Sequence, residues 1–299
     1  MNLLLLISAA AASVNAPGGW YVADTQSFTV ISLDDEVVFD RRNPEKGMAV
    51  RKPETRLSVE AGGTSSMGNV GTSVLYSRFY AEHRWGWNRL STKGRAEYGR
   101  SILDENGDGT IDDFERDAGF QRTSQHFDAN GRYDRFIGRL NSVYLLAGWL
   151  NDPFSGYQER LHAQTGYSRF IVSSDEHEVV GETGFDFARE VYVPEVEIGR
   201  DMVYSARGYM GWKTTLADTF QIAESVESFI NVEDTNDVRI IGEVALSMKA
   251  TDVFSVKTTY QIEHATLPLE GFRSTDQTMA FTLVASMFGL PSLNRRASN

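Results

Sequence analysis

Apolar and polar side chains alternate with a period of two residues through most of this chain. In residues 239–249 every charged side chain occupies an odd position, and the even positions are apolar or glycine. Residues 254–263 repeat the pattern, with Phe254 on one face and Lys257 and Glu263 on the other. Successive side chains of a β-strand point to opposite faces, so this period predicts strands with one apolar and one polar face.

About twelve such segments follow one another from residue 55 onward, an even number as single-chain bacterial barrels have. They start near residues 56, 72, 89, 124, 142, 158, 179, 203, 219, 238, 253 and 275. We therefore expect an all-β fold, a single antiparallel transmembrane β-barrel of about 12 strands that occupies residues 55–288.

The predicted connections alternate between short and long. The short ones are 83–88, 138–141, 174–177, 217–218 and 250–252. The long ones include 104–122, 151–157, 192–201 and 265–274. This alternation is typical of an outer-membrane barrel and not of a soluble β-sandwich. If both termini are periplasmic, the short turns are periplasmic and most long loops are outside the cell.

Residues 1–16 form an apolar run that is too short to cross a bilayer and ends in small residues, which is typical of a signal peptide. Cleavage after Ala16 is expected, and Ala12 is the alternative site. No later run reaches the roughly 18 apolar residues of a membrane helix. A membrane protein with this sequence must then be a barrel, because only helices and closed barrels satisfy their backbone groups in lipid.

Two other segments fit the strand pattern poorly. Residues 17–54 are expected to be an N-terminal extension that forms a periplasmic segment, a plug or an extra hairpin. Residues 289–299 are a polar tail. Tryptophans near strand ends or on the apolar face, namely Trp85, Trp87, Trp149 and Trp212, fit an interfacial girdle, although core aromatics of a soluble β-protein are the alternative.

Composition excludes several classes of function. The chain has no cysteine, which excludes disulfides, thiol nucleophiles and cysteine-based metal sites. Its net charge of -12 and pI near 4.9 argue against nucleic-acid binding, since that needs clustered positive charge. The expected partners are outer-membrane lipid, lipopolysaccharide, the barrel-assembly machinery and a small solute, in a Gram-negative outer membrane reached through the periplasm.

Several short motifs occur in a characteristic order. Residues 68–72 read Gly-Asn-Val-Gly-Thr, Arg84 and Trp85 precede the third strand, and residues 152–157 read Asp-Pro-Phe-Ser-Gly-Tyr. Residues 274–278 lead into a last strand that ends at Phe288. In these motifs the chain resembles the salt-induced outer-membrane proteins, a YdiY-like family with a domain of unknown function. The resemblance implies an outer-membrane barrel and no catalytic residues.

The connection between the third and fourth strands carries the sharpest motif. Residues 104–115 read Asp-Glu-Asn-Gly-Asp-Gly-Thr-Ile-Asp-Asp-Phe-Glu and match the twelve-residue EF-hand calcium loop at every key position. The predicted Ca²⁺ ligands are Asp104, Asn106, Asp108, Thr110, Asp112 and Glu115. Only the outgoing flank, residues 113–117, is expected to be helical. The alternative is a solvated acidic loop with Asn-Gly and Asp-Gly turns.

Charged side chains of both signs occupy the lumen face of the predicted strands. They are Lys93, Arg95, Glu97, Asp128, Arg132, Asp134, Glu182, Asp186, Arg207, Lys213, Arg239, Glu243, Lys249, Lys257 and Glu263. Such a set lines a hydrated pore or forms a salt-bridged plug, and the sequence favours neither.

Three functions are consistent with this pattern. The first is a small-solute channel or envelope-structural barrel with an extracellular calcium loop, and it is not an enzyme. The second is an outer-membrane lipase or protease built on His126 and His162, for which no hydrolase motif is present. The third is a soluble secreted calcium-binding β-protein.

Overall fold

A computed structural model describes residues 54–66, 72–103, 112–174, 176–194, 202–217, 219–269 and 272–288. The predicted signal peptide 1–16, nearly all of the extension 17–54 and the tail 289–299 lie outside these residues.

Twelve strands and one short helix make up the described chain. The first six strands are β1 (Glu54–Ser66), β2 (Thr72–Trp85), β3 (Asn88–Ser101), β4 (Gln121–Phe136), β5 (Asn141–Asp152) and β6 (Tyr157–Ser173). The last six are β7 (His177–Tyr192), β8 (Met202–Ala217), β9 (Phe220–Asn231), β10 (Val238–Lys249), β11 (Phe254–Ala265) and β12 (Thr275–Phe288). Helix α1 (Asp113–Ala118) lies between β3 and β4.

Each strand pairs antiparallel with its neighbours in the sequence, and β1 pairs with β12 to close the sheet into a barrel. The closing pair aligns Arg56 with Phe288 and Ala61 with Leu283. The predicted antiparallel barrel of about twelve strands is therefore confirmed. Predicted strand starts differ from the observed ones by three residues at most, the largest difference being β4, which begins at Gln121.

The two ends of the barrel differ in their connections. At the end where β1 begins and β12 finishes, here called the turn end, the connections are two to four residues long. At the opposite end, the loop end, they reach nineteen residues between β3 and β4. One predicted long connection is wrong: β5 continues to Asp152, and a 3₁₀ turn at Pro153–Ser155 leads directly to β6, because the Asp152 side chain caps that turn.

The outward and inward faces of the strands differ sharply in polarity. Outward side chains are large and apolar, as with Leu145 and Phe185, which are 61% and 53% exposed. Inward positions on the same strands carry charged or polar groups such as Glu182 and Asp186. Trp149 and Trp212 lie on the outward face, as predicted for a girdle. No helix within the described ranges is long and apolar enough to cross a membrane.

An apolar cluster lies inside the barrel near the loop end. Leu150, Tyr157, Phe229 and Ile241 pack together there, and Leu269 from the β11–β12 connection packs against them. Gly156 permits this approach, since a Cβ atom there would lie 2.9 Å from Leu269 Cδ1. The φ of Gly156 is also positive, at 87°, which favours glycine. The lumen is therefore narrowed by apolar side chains at this mouth.

Candidate functional site in the barrel lumen

A row of four residues crosses four adjacent strands in the middle of the lumen. Tyr144 on β5 is paired with Gly166 on β6, which is paired with Gly184 on β7, which is paired with Arg207 on β8. Because neither glycine has a side chain, Tyr144 lies across β6 and β7, and its hydroxyl accepts a hydrogen bond of 2.7 Å from Arg207 Nη1. A Cβ atom on Gly166 would lie 2.7 Å from that hydroxyl. The glycines thus make room for the tyrosine.

Six charged or aromatic side chains meet at this row. Arg132 Nη2 donates to Glu182 Oε1 at 2.8 Å and to Asp134 Oδ1 at 2.7 Å. Arg207 Nη1 donates to the other oxygen of Glu182 at 2.9 Å, and Arg207 also pairs with Glu227. We call Arg132, Asp134, Tyr144, Glu182, Arg207 and Glu227 the central network.

The Arg132–Glu182 pair joins β4 to β7, which are separated by two strands, so it crosses the lumen instead of running along the wall. The side chains of Arg207 and Glu227 are both 0% exposed. The Arg132 guanidinium lies 4.0 Å from the centre of the Tyr144 ring, a cation–π contact. The central network therefore fills this part of the lumen with side chains.

A second set of ion pairs lies closer to the loop end. Arg160 pairs with Asp186 at 3.2 Å and with Glu190 at 3.0 Å. Arg239, three strands away on β10, also reaches Glu190, at 3.3 Å. The Glu190 carboxylate is thus shared between two guanidinium groups, which compensates for the loss of water around its charge.

Ion pairs also cross the opposite side of the lumen. Lys257 Nζ on β11 lies 3.0 Å from Glu60 Oε1 on β1. Arg78 on β2 lies 3.9 Å from Glu243 on β10, four strands away around the ring. This second distance is longer than a direct hydrogen bond.

Several buried polar atoms of the lumen have no hydrogen-bond partner within the part of the chain that the structure describes. They include Arg78 Nη1, Arg95 Nε, Arg207 Nη2, Glu243 Oε2 and Glu263 Oε2. Buried polar groups of this kind are costly unless water satisfies them. Water bound between the ion pairs would satisfy these atoms.

The predicted lumen residues all lie on inward-facing strand positions. Those that are buried are Arg132, Asp134, Glu182, Asp186, Arg207, Glu243, Lys257 and Glu263. Other inward charges were not predicted from the sequence, although strand parity identifies most of them; they include Glu60, Arg78, Glu82, Arg89, Arg160, Glu190 and Glu227. Arg160 follows a register shift between Tyr157 and Glu159, which obscures the alternation in the sequence.

The two histidines proposed for catalysis do face the lumen. His126 lies between Asp152, 2.8 Å from its Nδ1, and Asp128, 2.9 Å from its Nε2. His162 Nδ1 lies 3.3 Å from Asp186. The hydrogen-bond partners of both imidazoles are thus carboxylates. Within the described ranges no serine hydroxyl is hydrogen-bonded to either histidine.

Two of the six predicted calcium ligands are described. Asp112 and Glu115 form a capping box at the start of α1: the Asp112 side chain accepts from Glu115 N at 2.9 Å, and Glu115 Oε2 accepts from Asp112 N at 3.0 Å. The outgoing helical turn is present, as predicted. Asp104, Asn106, Asp108 and Thr110 lie outside the described residues, among which no group of three or more metal-ligating side chains occurs.

Comparison with known families decides the affiliation of this barrel. The family model described as "Protein of unknown function, DUF481" matches residues 59–287, which span β1 to β12. The chain belongs to the DUF481 family. The resemblance predicted from the sequence motifs is thereby confirmed.

One curated relative of this DUF481 protein is "Uncharacterized protein YdiY" from Escherichia coli (strain K12). The two are 26% identical over 168 residues, which cover 56% of this chain and 64% of YdiY. The match therefore spans somewhat less than two thirds of the relative's length.

The DUF481 barrel is also similar to solved structures at low identity. The NanC porin matches with 11% identity and a TM-score of 0.46, over 77% of this chain and 98% of the porin. The COG4313 outer membrane channel from Pseudomonas putida F1 matches with 9% identity and a TM-score of 0.44, over 80% and 97%. Similarity at this level does not establish a shared function.

Proposed function

We propose that this protein is an integral outer-membrane barrel that passes small ions or solutes through a narrow, hydrated and charge-lined lumen. The observation that carries the proposal is the division of polarity: apolar side chains face outward, and charged groups that need water face inward. The apolar outer surface suits contact with lipid, and the water of a membrane channel suits the charged inner surface.

The membrane location follows from the cost of the outer surface in water. Large exposed apolar side chains occur on nearly every strand, whereas soluble proteins rarely expose a continuous apolar surface of this extent. A soluble secreted protein is therefore disfavoured. We place the barrel in the outer membrane of a Gram-negative cell, exported through the periplasm by the signal peptide 1–16 and inserted by the barrel-assembly machinery.

The bore is limited by the central network. Because Arg132 and Glu182 meet across the lumen, only small solutes would pass while their ion pair is formed. On the opposite side of the lumen Arg78 and Glu243 lie 3.9 Å apart, so this ion pair must also open for a solute to pass. Charges of both signs line the lumen, so the proposal is for small ions with weak selectivity by charge.

Single-channel recording in planar bilayers tests the proposal. The double variant Arg132→Ala/Glu182→Ala removes both partners of the crossing pair. The ion pairs Asp134–Arg89 and Arg207–Glu227 remain. No buried charge is then left alone, so folding is maintained, and the wider bore should raise the conductance above that of the wild type.

Lys249→Ala/Asp252→Ala is the matched control, because it removes an ion pair at the turn end in which the Asp252 side chain is 98% exposed. Its conductance should equal that of the wild type. If neither the folded wild type nor the folded Arg132→Ala/Glu182→Ala variant conducts, the barrel is not a channel. That result would favour the second candidate, an envelope-structural barrel, which the complete burial of Arg207 and Glu227 supports.

The proposal also includes a calcium-binding loop outside the cell, formed by Asp104, Asn106, Asp108, Thr110, Asp112 and Glu115. Its support is the complete EF-hand pattern together with the capping box, which holds the last two predicted ligands at a fixed separation at the start of α1. The loop follows β3 at the loop end, on the side opposite the turns. Calcium there would stabilise the longest connection of the barrel.

A further inference from the structure

Two arginines lie side by side on the outer wall of the barrel at the loop end. Arg100, near the end of β3, is paired directly with Arg122, near the start of β4. Arg100 is exposed and shares its outward parity with Tyr98, two residues earlier, which is 43% exposed. Directly paired residues lie on the same face of a sheet, so both guanidinium groups belong to the exterior.

A β-bulge brings Arg122 to this face. On β4 the buried inward positions are even-numbered, as with His126, Asn130 and Arg132, and simple alternation would place Arg122 in the lumen. The register shift between Gly99 and Arg100 instead aligns Arg122 with Arg100. Bulges of this kind change the direction of a side chain near functional sites.

Neutral groups hold the two guanidinium groups. Arg122 Nη1 donates to Gln125 Oε1 at 2.7 Å and lies 5.7 Å from the centre of the Phe154 ring. Arg100 lies 5.3 Å from the centre of the Phe120 ring. Within the described ranges neither arginine has a carboxylate partner. Two like charges directly opposite each other repel, so this pair costs stability unless an anion lies between them.

The position of the Arg100–Arg122 pair indicates what kind of anion would bind there. The rings of Phe120 and Phe154 lie beside the two arginines, and Tyr98 is exposed on the same outward face, at the loop end of the apolar wall. A phosphorylated lipid has the chemistry that fits here, because its anionic headgroup reaches the arginines while its acyl chains contact the apolar wall. Arginine forks match phosphate oxygens in pairs, which an isolated lysine does not do.

We propose that Arg100 and Arg122 bind a phosphate group of lipopolysaccharide in the outer leaflet. The proposal rests on the outer-membrane location given above but not on conduction through the lumen. The bulge and the aromatic contacts orient the two guanidinium groups toward one headgroup, and the apolar wall below them contacts its acyl chains.

Titration of the detergent-solubilised, folded barrel with lipopolysaccharide tests this site. The variant Arg100→Gln/Arg122→Gln should lower the affinity about tenfold or more, because it removes two charge-assisted contacts. Arg100→Lys/Arg122→Lys keeps the charges and should bind with intermediate affinity. The matched control is Arg135→Gln/Arg189→Gln, which removes the same charge from two other outward positions and should bind as the wild type does.

Three results would overturn the proposal. The first is unchanged affinity in the Arg100/Arg122 glutamine variant. The second is an equal loss in the Arg135/Arg189 control, which would show an effect of net charge alone. The third is equal affinity for inorganic phosphate or for dephosphorylated lipopolysaccharide. Bilayer conductance of the same variants, expected to be unchanged, separates failure of this site from failure of the proposed channel.

Discussion

At the scale of single residues, the contact between Tyr144 and Arg207 shows how strand register creates the lumen site. The two residues are 63 positions apart in the sequence and lie on strands separated by two others. Their contact requires that both intervening positions in the row be glycine. Parity alone places Tyr144 in the lumen, but it does not indicate that its ring lies across β6 and β7.

Replacement of Gly184 by alanine should therefore destabilise the barrel. The added Cβ would lie 2.3 Å from the Thr165 carbonyl oxygen and 2.9 Å from the Tyr144 hydroxyl, so the backbone and the tyrosine must both move. We expect a loss of about 1–3 kcal/mol in the free energy of unfolding, as for other overpacked sites. Urea unfolding of the barrel in lipid vesicles, followed by tryptophan fluorescence, measures it.

Gly131→Ala provides the control, because a Cβ atom there has nothing within 4 Å. This variant should unfold close to the wild type. Equal unfolding midpoints for the two alanine variants would contradict the role assigned to the Tyr144 row.

At the scale of elements, helix α1 brings together two residues that the sequence motif predicts as calcium ligands. Asp112 begins the helix and Glu115 occupies its third position, and each side chain accepts a hydrogen bond from the other's backbone. The motif predicted both the helical turn and its start, because ligand spacing and helix capping are local properties of the sequence. The other four predicted ligands lie outside the described residues.

Glu115→Gln separates calcium binding from helix capping. Glutamine at the third helical position still completes a capping box, so α1 should persist, whereas the bidentate carboxylate is lost. Calorimetric titration of the wild type should show calcium binding with a dissociation constant on the order of 10⁻⁴ to 10⁻³ M. The variant should show no binding heat.

Asp117→Asn is the matched control, since it removes one exposed carboxylate from the same helix without changing the motif. It should bind as the wild type does. Equal heats for Glu115→Gln and the wild type would refute the calcium assignment.

At the scale of the whole molecule, the pairing of β1 with β12 makes the barrel a closed unit. Each of the twelve described strands then has two hydrogen-bonded neighbours, and none of them is an unpaired edge. Antiparallel closure of this kind satisfies the backbone within a bilayer, which an open sheet would not do.

Closure predicts heat-modifiable mobility in gel electrophoresis. Unheated protein from the outer-membrane fraction should keep its compact barrel in detergent and migrate faster than the boiled sample. The physical reason is that all strand hydrogen bonds are shared around a ring, so the barrel opens only as a whole. Recovery of the protein in the soluble fraction, with the same mobility before and after boiling, would contradict the membrane-barrel proposal.

The sequence by itself determined the strands, their faces and the asymmetry of the two ends. These properties follow from the two-residue period of the strand and from local turn lengths, which need no knowledge of distant contacts. For the same reason the predicted lumen charges of β10 and β11 lie inward as expected.

Only the tertiary structure decided which charges pair and where the alternation fails. The Arg132–Glu182 and Arg78–Glu243 pairs depend on the closed ring, since each joins strands that are not adjacent. The bulge beside Arg100 shifts Arg122 to the outer wall against its parity in the sequence. A local period fixes the direction of a side chain, but register and closure fix its neighbours.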